Sequence, residues 1–124
     1  METFAGYIRL NAQFHAGVLK LTKSPMLQRS MQQALTLPFA SPNSFVLTLA
    51  ERKELRDILT TSRIHHRAIL DAITNREATR AEAVAREHAR LARTSLDLAL
   101  RHKRLLTRVP GASLISFPEA VGEG

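Results

Sequence analysis

The sequence contains no cysteine and no tryptophan. Without cysteine the chain forms neither disulfide bonds nor thiolate metal sites, so a metal site would have to use histidine nitrogens and oxygen ligands. Because there are only one tyrosine and five phenylalanines, leucine, alanine, isoleucine and valine must supply most of the core. The five prolines separate segments of helical periodicity. These scarcities favour helices joined by short breaks.

Long apolar runs are missing as well. No run reaches the roughly 18 residues that a membrane-spanning helix needs, and the first residues lack the continuous apolar core of a signal peptide. We therefore expect a cytoplasmic protein without membrane contact. Apolar residues still make up 44% of the 124 residues, which is enough for one domain with a buried core.

Acidic residues are in the minority. Eighteen lysines and arginines stand against 11 aspartates and glutamates, which gives a net charge of +7. Such an excess can indicate a nucleic-acid surface. Here the arginines are spread over residues 52–108 among acidic residues, and no dense basic block with interleaved aromatics occurs. This pattern favours solvated helix faces over direct contact with nucleic acid.

The periodicity of the apolar residues predicts four helices. Ser24 is a good cap for the second helix, and Pro25 suits its first position. Asn75 is a plausible cap for the fourth helix. The predicted helices span residues 3–21, 25–37, 48–74 and 77–106.

No segment alternates with a period of two, so the sequence predicts an all-α fold and, within that class, an antiparallel helical bundle. We expect the bundle to occupy residues 1–115 and a flexible tail to occupy residues 116–124. The loop of residues 38–45 carries two phenylalanines, so we expect it to pack against the bundle.

Three of the five histidines are predicted to face apolar neighbourhoods from three different helices, namely His15, His66 and His88. A single histidine in such a place is ordinarily a hydrogen-bonded core residue. Burying three imidazoles costs desolvation unless their polar atoms are satisfied, and a shared divalent cation would satisfy them. Asn11, one turn before His15, could offer its carbonyl oxygen to that cation or bond a neighbouring side chain. These spacings match no short zinc motif, so the pattern leaves both interpretations open.

Three segments give the sequence a resemblance to a known family. NAQFH at residues 11–15 resembles a D/N-x-x-F-H motif, and HHRAILDAI at residues 65–73 and AVAREHARL at residues 83–91 resemble two later motifs. Together they are similar to the FCD domain, the effector-binding domain of the FadR branch of GntR-type bacterial transcription regulators. The resemblance extends from about Phe4 to Ile115 and matches the later part of such a regulator.

The resemblance implies an antiparallel α-bundle around a cavity that holds a divalent metal, often zinc or nickel. In this sequence the implied metal ligands are Asn11, His15, His66 and His88. A small organic acid would bind at or beside the metal, and Arg63, one turn before His66, is a candidate to pair with its carboxylate. Effector binding would change the geometry of a homodimer and so its affinity for operator DNA. The resemblance therefore implies a regulator and not an enzyme.

The sequence departs from the family pattern in two ways. It contains no winged helix-turn-helix, and the NAQFH helix starts almost at residue 1, so we expect the first helices of the bundle to be missing. DNA contact would then need a part outside this sequence. The second departure is Asn instead of Asp at position 11. Three neutral histidines and an amide would leave a divalent ion uncompensated, so we expect an anionic effector that binds the metal directly.

Two other functions stay open on the sequence. The histidines could activate water in a metal-dependent hydrolase, but this chemistry needs a positioned general base. Glu87 is a poor candidate, because it points about 100° away from His88 on the same helix. The chain could also be a metal-free dimerisation or structural bundle, whose histidines would tolerate replacement.

Overall fold

A computed structural model describes residues 4–37, 40–46, 52–109 and 111–116. The described residues form α-helices and one short 3₁₀ helix, joined by turns and loops. None of these helices is both long and apolar enough to cross a membrane. The helices are α1 (Phe4–Lys20), α2 (Pro25–Leu35), α3 (Lys53–Thr74), α4 (Ala78–Arg101), α5 (Lys103–Leu106) and the 3₁₀ helix (Ala112–Leu114).

The antiparallel hairpin of α3 and α4 is the body of the fold. The turn between them is short because Asn75 ends α3, with its backbone N–H donating to the carbonyl of Asp71, and Arg76 adopts a left-handed conformation with φ of 58°. The exposed guanidinium of Arg80 pairs with Asp71 at 2.6 Å and with Glu77 at 2.7 Å. The pair with Asp71 joins α4 to α3 and the pair with Glu77 lies at the start of α4; their exposure keeps the contribution to stability small.

The hydrophobic core lies at the opposite, open end of the hairpin. Leu55 near the start of α3 is only 1% exposed and meets Leu98 and Ala99 near the end of α4. The chain then turns back through α5 and adds further apolar side chains to the same core. The complete buried cluster is Phe45, Leu55, Leu98, Ala99, Leu106 and Val109.

Helix α1 contacts the hairpin through polar and aromatic side chains. The hydroxyl of Tyr7 lies 3.1 Å from Oγ of Ser62 on α3. About two helical turns further along α1, the ring of Phe14 stacks on the ring of His66 with 4.1 Å between the centroids. The only residue of α1 that is fully buried is the polar Asn11, and Phe4, which packs against the core, is only partly buried, so apolar burial docks this helix less firmly than it joins α3 and α4.

Helix α2 begins as the sequence predicts. Oγ of Ser24 accepts a hydrogen bond from the backbone N–H of Leu27 at 3.3 Å, and Pro25 occupies the first helical position. No residue of α2 is buried. Its large apolar side chains are exposed to solvent in the described structure, namely those of Met26, Leu27, Met31 and Leu35.

The structure confirms the all-α class and the bundle arrangement, and it shows α3 as one continuous helix to Thr74. The loop prediction holds for Phe45, which is buried in the core. The predicted start of the third helix near Thr48, the second loop phenylalanine, Phe39, and most of the predicted tail lie outside the described residues.

Two predictions about helix ends are wrong. Asn75 does not cap the fourth helix but closes the third, and Glu77 precedes α4. The fourth helix also does not run on to Leu106. It ends at Arg101, because the backbone of His102 leaves the helical conformation with φ of −114° and ψ of 70°. The ring of His102 instead accepts a hydrogen bond from the guanidinium of Arg52 at 2.6 Å.

Candidate metal centre

Three helices each contribute one histidine to a single cluster. Nε2 of His88 on α4 lies 3.2 Å from Nε2 of His66 on α3 and 3.4 Å from Nε2 of His15 on α1. All three residues offer a ring nitrogen within 4.8 Å of the other two. Two nitrogens bound at about 2.05 Å to a tetrahedral ion are about 3.3 Å apart. The spacing around His88 therefore fits nitrogens that share one divalent ion.

Aromatic packing orients these rings. Phe14 stacks on His66 and meets His15 edge-on, with 5.4 Å between the centroids of the second pair. The rings of His15 and His88 are stacked with 5.3 Å between centroids and 25° between planes. Because Phe14 immediately precedes His15 on α1, the same turn of this helix carries one histidine of the cluster and packs against a second, His66. The local packing therefore makes the Nε2 atoms converge.

Burial keeps these imidazoles in the neutral form. Desolvation lowers the pKa of His15 below its ordinary value. Desolvation, followed by the charges of neighbouring histidines, lowers the pKa of His66 to about 4 and that of His88 to about 4. A neutral imidazole is the form that binds a metal ion. The cluster is therefore deprotonated at neutral pH before any ligand arrives.

Hydrogen bonding within the protein does not satisfy this cluster. A neutral imidazole has a single N–H, so one direct hydrogen bond between two rings leaves the third ring nitrogen without a partner. Nδ1 of His88 is also buried, and no hydrogen-bond partner for it lies in the described part of the chain. Unpaired buried polar atoms are costly. A cation at the centre would satisfy all three converging nitrogens at once.

Asn11 has a buried side-chain carbonyl oxygen, which is an atom type that can bind a metal ion. Its side chain is only 4% exposed, and its Nδ2 donates to Oδ1 of Asn43 at 2.9 Å and to the carbonyl of Pro42 at 3.3 Å. Nδ2 of Asn43 in turn donates to the carbonyl of Ile8 at 3.1 Å, which anchors the loop on α1. Oδ1 of Asn11 is buried and has no partner among the described residues. A free carbonyl oxygen one turn from His15 fits a metal site.

A cavity of about 260 Å³ adjoins the cluster. It shares His66 and Asn11 with the candidate metal centre, and its wall includes Tyr7, whose hydroxyl pairs with Ser62 behind it, and the exposed Arg63. Burial raises the pKa of Tyr7, while the hydrogen bond with Ser62 and the charge of Arg63 act in the opposite direction. The residues that line the cavity are Tyr7, Leu10, Asn11, Phe14, Arg63 and His66.

The structure thus brings together the residues that the sequence singled out. His15, His66 and His88 converge, Asn11 lies one turn before His15, and Arg63 lines the adjoining cavity. His65 and His102 are not part of the group of three histidines whose ring nitrogens converge.

Three residues of the site were missed by the sequence reasoning: Tyr7, Phe14 and Ser62. Tyr7 and Ser62 lie one helical turn before Asn11 and His66, and this spacing of four residues is a signal that could have identified them.

No carboxylate joins the histidines as a possible ligand or base within the described part of the chain. Glu87, next to His88 in the sequence, is exposed and pairs with Arg90 at 2.9 Å on the outer face of α4. The general base that a metal-dependent hydrolase needs is therefore not supplied by this residue.

Comparison with known families agrees with this picture. The family described as the FCD domain matches residues 2–91, a range that includes every residue of the candidate centre. No curated protein matches the chain. FCD domains are the C-terminal ligand-sensing domains of GntR-type transcription regulators, and they belong to regulatory proteins and not to enzymes. With most of its length matched, this chain belongs to the FCD-domain family.

Proposed function

We propose that this chain is the effector-sensing domain of a FadR-type regulator within the GntR family, and that it binds a divalent transition metal together with a small organic acid. The observation that carries the proposal is the convergence of three Nε2 atoms from three helices. The free carbonyl oxygen of Asn11 beside them supports it. Neither feature is needed for the packing of a plain helical bundle.

The proposed ligands are His15, His66, His88 and Asn11. Imidazole nitrogens with one amide oxygen suit zinc or nickel better than the hard cations calcium and magnesium. When bound, the ion would supply a positive charge that attracts and can ligate a carboxylate. Since all four proposed ligands are neutral, the protein itself would leave that charge uncompensated, and this favours an anionic effector.

Arg63 is the second proposed anchor for the effector. Its side chain lines the cavity next to His66, and no ion pair occupies its guanidinium among the described residues. A guanidinium can hold a carboxylate through two parallel hydrogen bonds. An organic acid in the cavity could therefore meet positive charge at two separate places, the metal and Arg63.

The proposed mechanism acts through the position of α1. This helix carries Asn11 and His15, whereas His66 and His88 belong to the hairpin, so one ion would tie α1 to α3 and α4. We propose that this tie, completed by the effector, favours one geometry of a homodimer over another. A ligand shifts such an equilibrium only by its difference in affinity for the two states. DNA contact, in the cytoplasm, would be made by a winged helix-turn-helix outside this sequence.

The first test is elemental analysis of the tag-free protein after incubation with zinc and desalting. We expect about one equivalent of zinc in the wild type and almost none in the double variant His66→Gln/His88→Gln, because two of the ligands are gone. His102→Gln is the matched control, since this histidine contacts Arg52 away from the cluster. A wild type that retains no zinc and no nickel, or a double variant that retains a full equivalent, contradicts the proposal.

A further inference from the structure

Tyr7 lines the cavity beside the candidate metal centre, and its hydroxyl is paired with that of Ser62. Tyr7 lies four residues before Asn11 on α1, and Ser62 lies four residues before His66 on α3. Four residues of an α-helix advance by about 6 Å. The Tyr7–Ser62 pair is therefore displaced by about one helical turn from His66 along α3 and by about one turn from Asn11 along α1, which places Tyr7 about two turns before His15.

The hydrogen-bonding capacity of these two hydroxyls is not fully used within the protein. The Tyr7 and Ser62 oxygens lie 3.1 Å apart, so one hydroxyl donates to the other. Each hydroxyl has one hydrogen to donate, and the acceptor's own hydrogen has no further partner among the described residues. Ser62 is 5% exposed, so that bond is shielded from solvent. When Ser62 is the donor in this bond, the O–H of Tyr7 is available as a donor at the cavity wall.

The cavity wall combines three kinds of chemistry. Asn11 and His66 belong to the candidate metal centre, Leu10 and Phe14 are apolar, and Arg63 with the Tyr7 hydroxyl can bind an anion. A guanidinium and a hydroxyl together match the hydrogen-bonding needs of a carboxylate. The wall therefore has two positions at which a negatively charged group can bind, and apolar side chains lie nearby.

We propose that the effector of this domain is a small dicarboxylate, whose second carboxylate is held by Arg63 and by the hydroxyl of Tyr7. Tyr7 is then a specificity-determining residue that distinguishes an acid with two carboxylates from one with a single carboxylate. The inference rests on the proposed function, in which the first carboxylate meets the metal. Because Arg63 and Tyr7 line the same cavity as Asn11 and His66, the two carboxylates are expected to be joined by a short carbon chain.

Isothermal titration of the zinc-loaded protein tests this inference. The probes are malonate, succinate, glutarate and adipate, each compared with the monocarboxylate of equal carbon number. We expect at least one dicarboxylate to bind about tenfold more tightly than its monocarboxylate, because a charge-assisted contact is added. The exposure of Arg63 keeps the expected factor near ten.

Variants then assign the contact to residues. Tyr7→Phe removes only the hydroxyl, and Arg63→Gln removes the charge; each should weaken dicarboxylate binding about three- to tenfold and leave monocarboxylate binding unchanged. Arg67→Gln is the matched control, because this exposed arginine lies one turn further along α3 and does not line the cavity. Zinc content is measured for every variant, so that a loss of metal is not mistaken for a loss of effector contact.

The outcomes separate the two proposals. If monocarboxylates bind as tightly as dicarboxylates of every length, or if Tyr7→Phe weakens both classes equally, the dicarboxylate inference is overturned while the metal-and-acid function stands. If the protein holds zinc but binds no acid, the effector chemistry fails at both levels. If the protein binds neither zinc nor nickel, the proposed function is contradicted, and so is the dicarboxylate inference that rests on it.

Discussion

The α3–α4 hairpin and helix α1 are both amphipathic, yet different forces hold them. The hairpin buries apolar side chains such as Leu55, Leu98 and Ala99 in a shared core. Helix α1 fully buries only Asn11; Phe4 at its start packs against the core, and the rest of the helix contacts the hairpin through a hydroxyl pair, an aromatic stack and the histidines. The contacts that dock α1 are thus largely the residues of the candidate site. Ligand binding and the docking of this helix are expected to be one event.

The largest effect should come from the hairpin core. Leu55→Ala should lower the free energy of unfolding by about 2–5 kcal/mol, because it removes a buried side chain and leaves a cavity. Urea denaturation followed by circular dichroism measures this loss. Leu70→Ala on the same helix is the control, since Leu70 is 50% exposed and its loss should cost well under half as much. Equal losses at the two positions would show that the hairpin core does not dominate stability.

The next effect distinguishes α1 from the hairpin. Zinc at about 100 times its dissociation constant stabilises the state that binds it by about 2.7 kcal/mol. We expect the slowing of hydrogen exchange to be largest in α1, where it can approach about 100-fold, because this helix carries two of the proposed ligands and buries less apolar surface than the hairpin. His88→Gln should abolish the effect. Uniform slowing along the whole chain would mean that α1 and the hairpin open together.

The smallest effect is the pH dependence of the metal-free protein. His66 and His88 have pKa values of about 4 in the folded chain, against an ordinary value of 6.5. Between these pH values the unfolded chain binds more protons, so stability should fall as the pH drops from 6.5 to 4. The effect is expected to be modest because the rings are only partly buried.

Thermal melting at pH 7.5, 5.5 and 4.5 measures this dependence. The variant His66→Gln/His88→Gln should show a flatter profile over the same interval, because it lacks the two groups. A wild type whose melting temperature rises on acidification from pH 6.5 to 4.5 would contradict the assigned direction of the pKa shifts.

Much of the fold follows from local signals in the sequence. Apolar periodicity predicted the four long helices, and Ser24 with Pro25 predicted the start of α2. Asn75 was misassigned because asparagine suits both ends of a helix; its side chain in fact donates back to the carbonyl of Asp71. The break at His102 is marked by neither proline nor glycine and coincides with a contact to Arg52, 50 residues away. A local pattern cannot report a contact of that kind.

The candidate site was predictable to a different extent. Its histidines could be named from helix faces and from family motifs, but their separations depend on how three helices pack. The orientation of Asn11 depends on Asn43, 32 residues further along the chain, so its free oxygen could not be predicted from the NAQFH motif. The identity of the metal, the homodimer and the division into residues 1–115 and a tail of residues 116–124 stay predictions.

Tyr7 makes the contact between α1 and the α3–α4 hairpin observable by fluorescence. It is the single tyrosine of a chain without tryptophan, and its hydroxyl sits on α3 against Ser62. The near-ultraviolet emission of the whole protein therefore originates from one side chain, at the point where α1 meets the hairpin. Release of α1 or arrival of an anion beside Arg63 changes the surroundings of this fluorophore directly. The protein carries a built-in spectroscopic reporter, readable without any label.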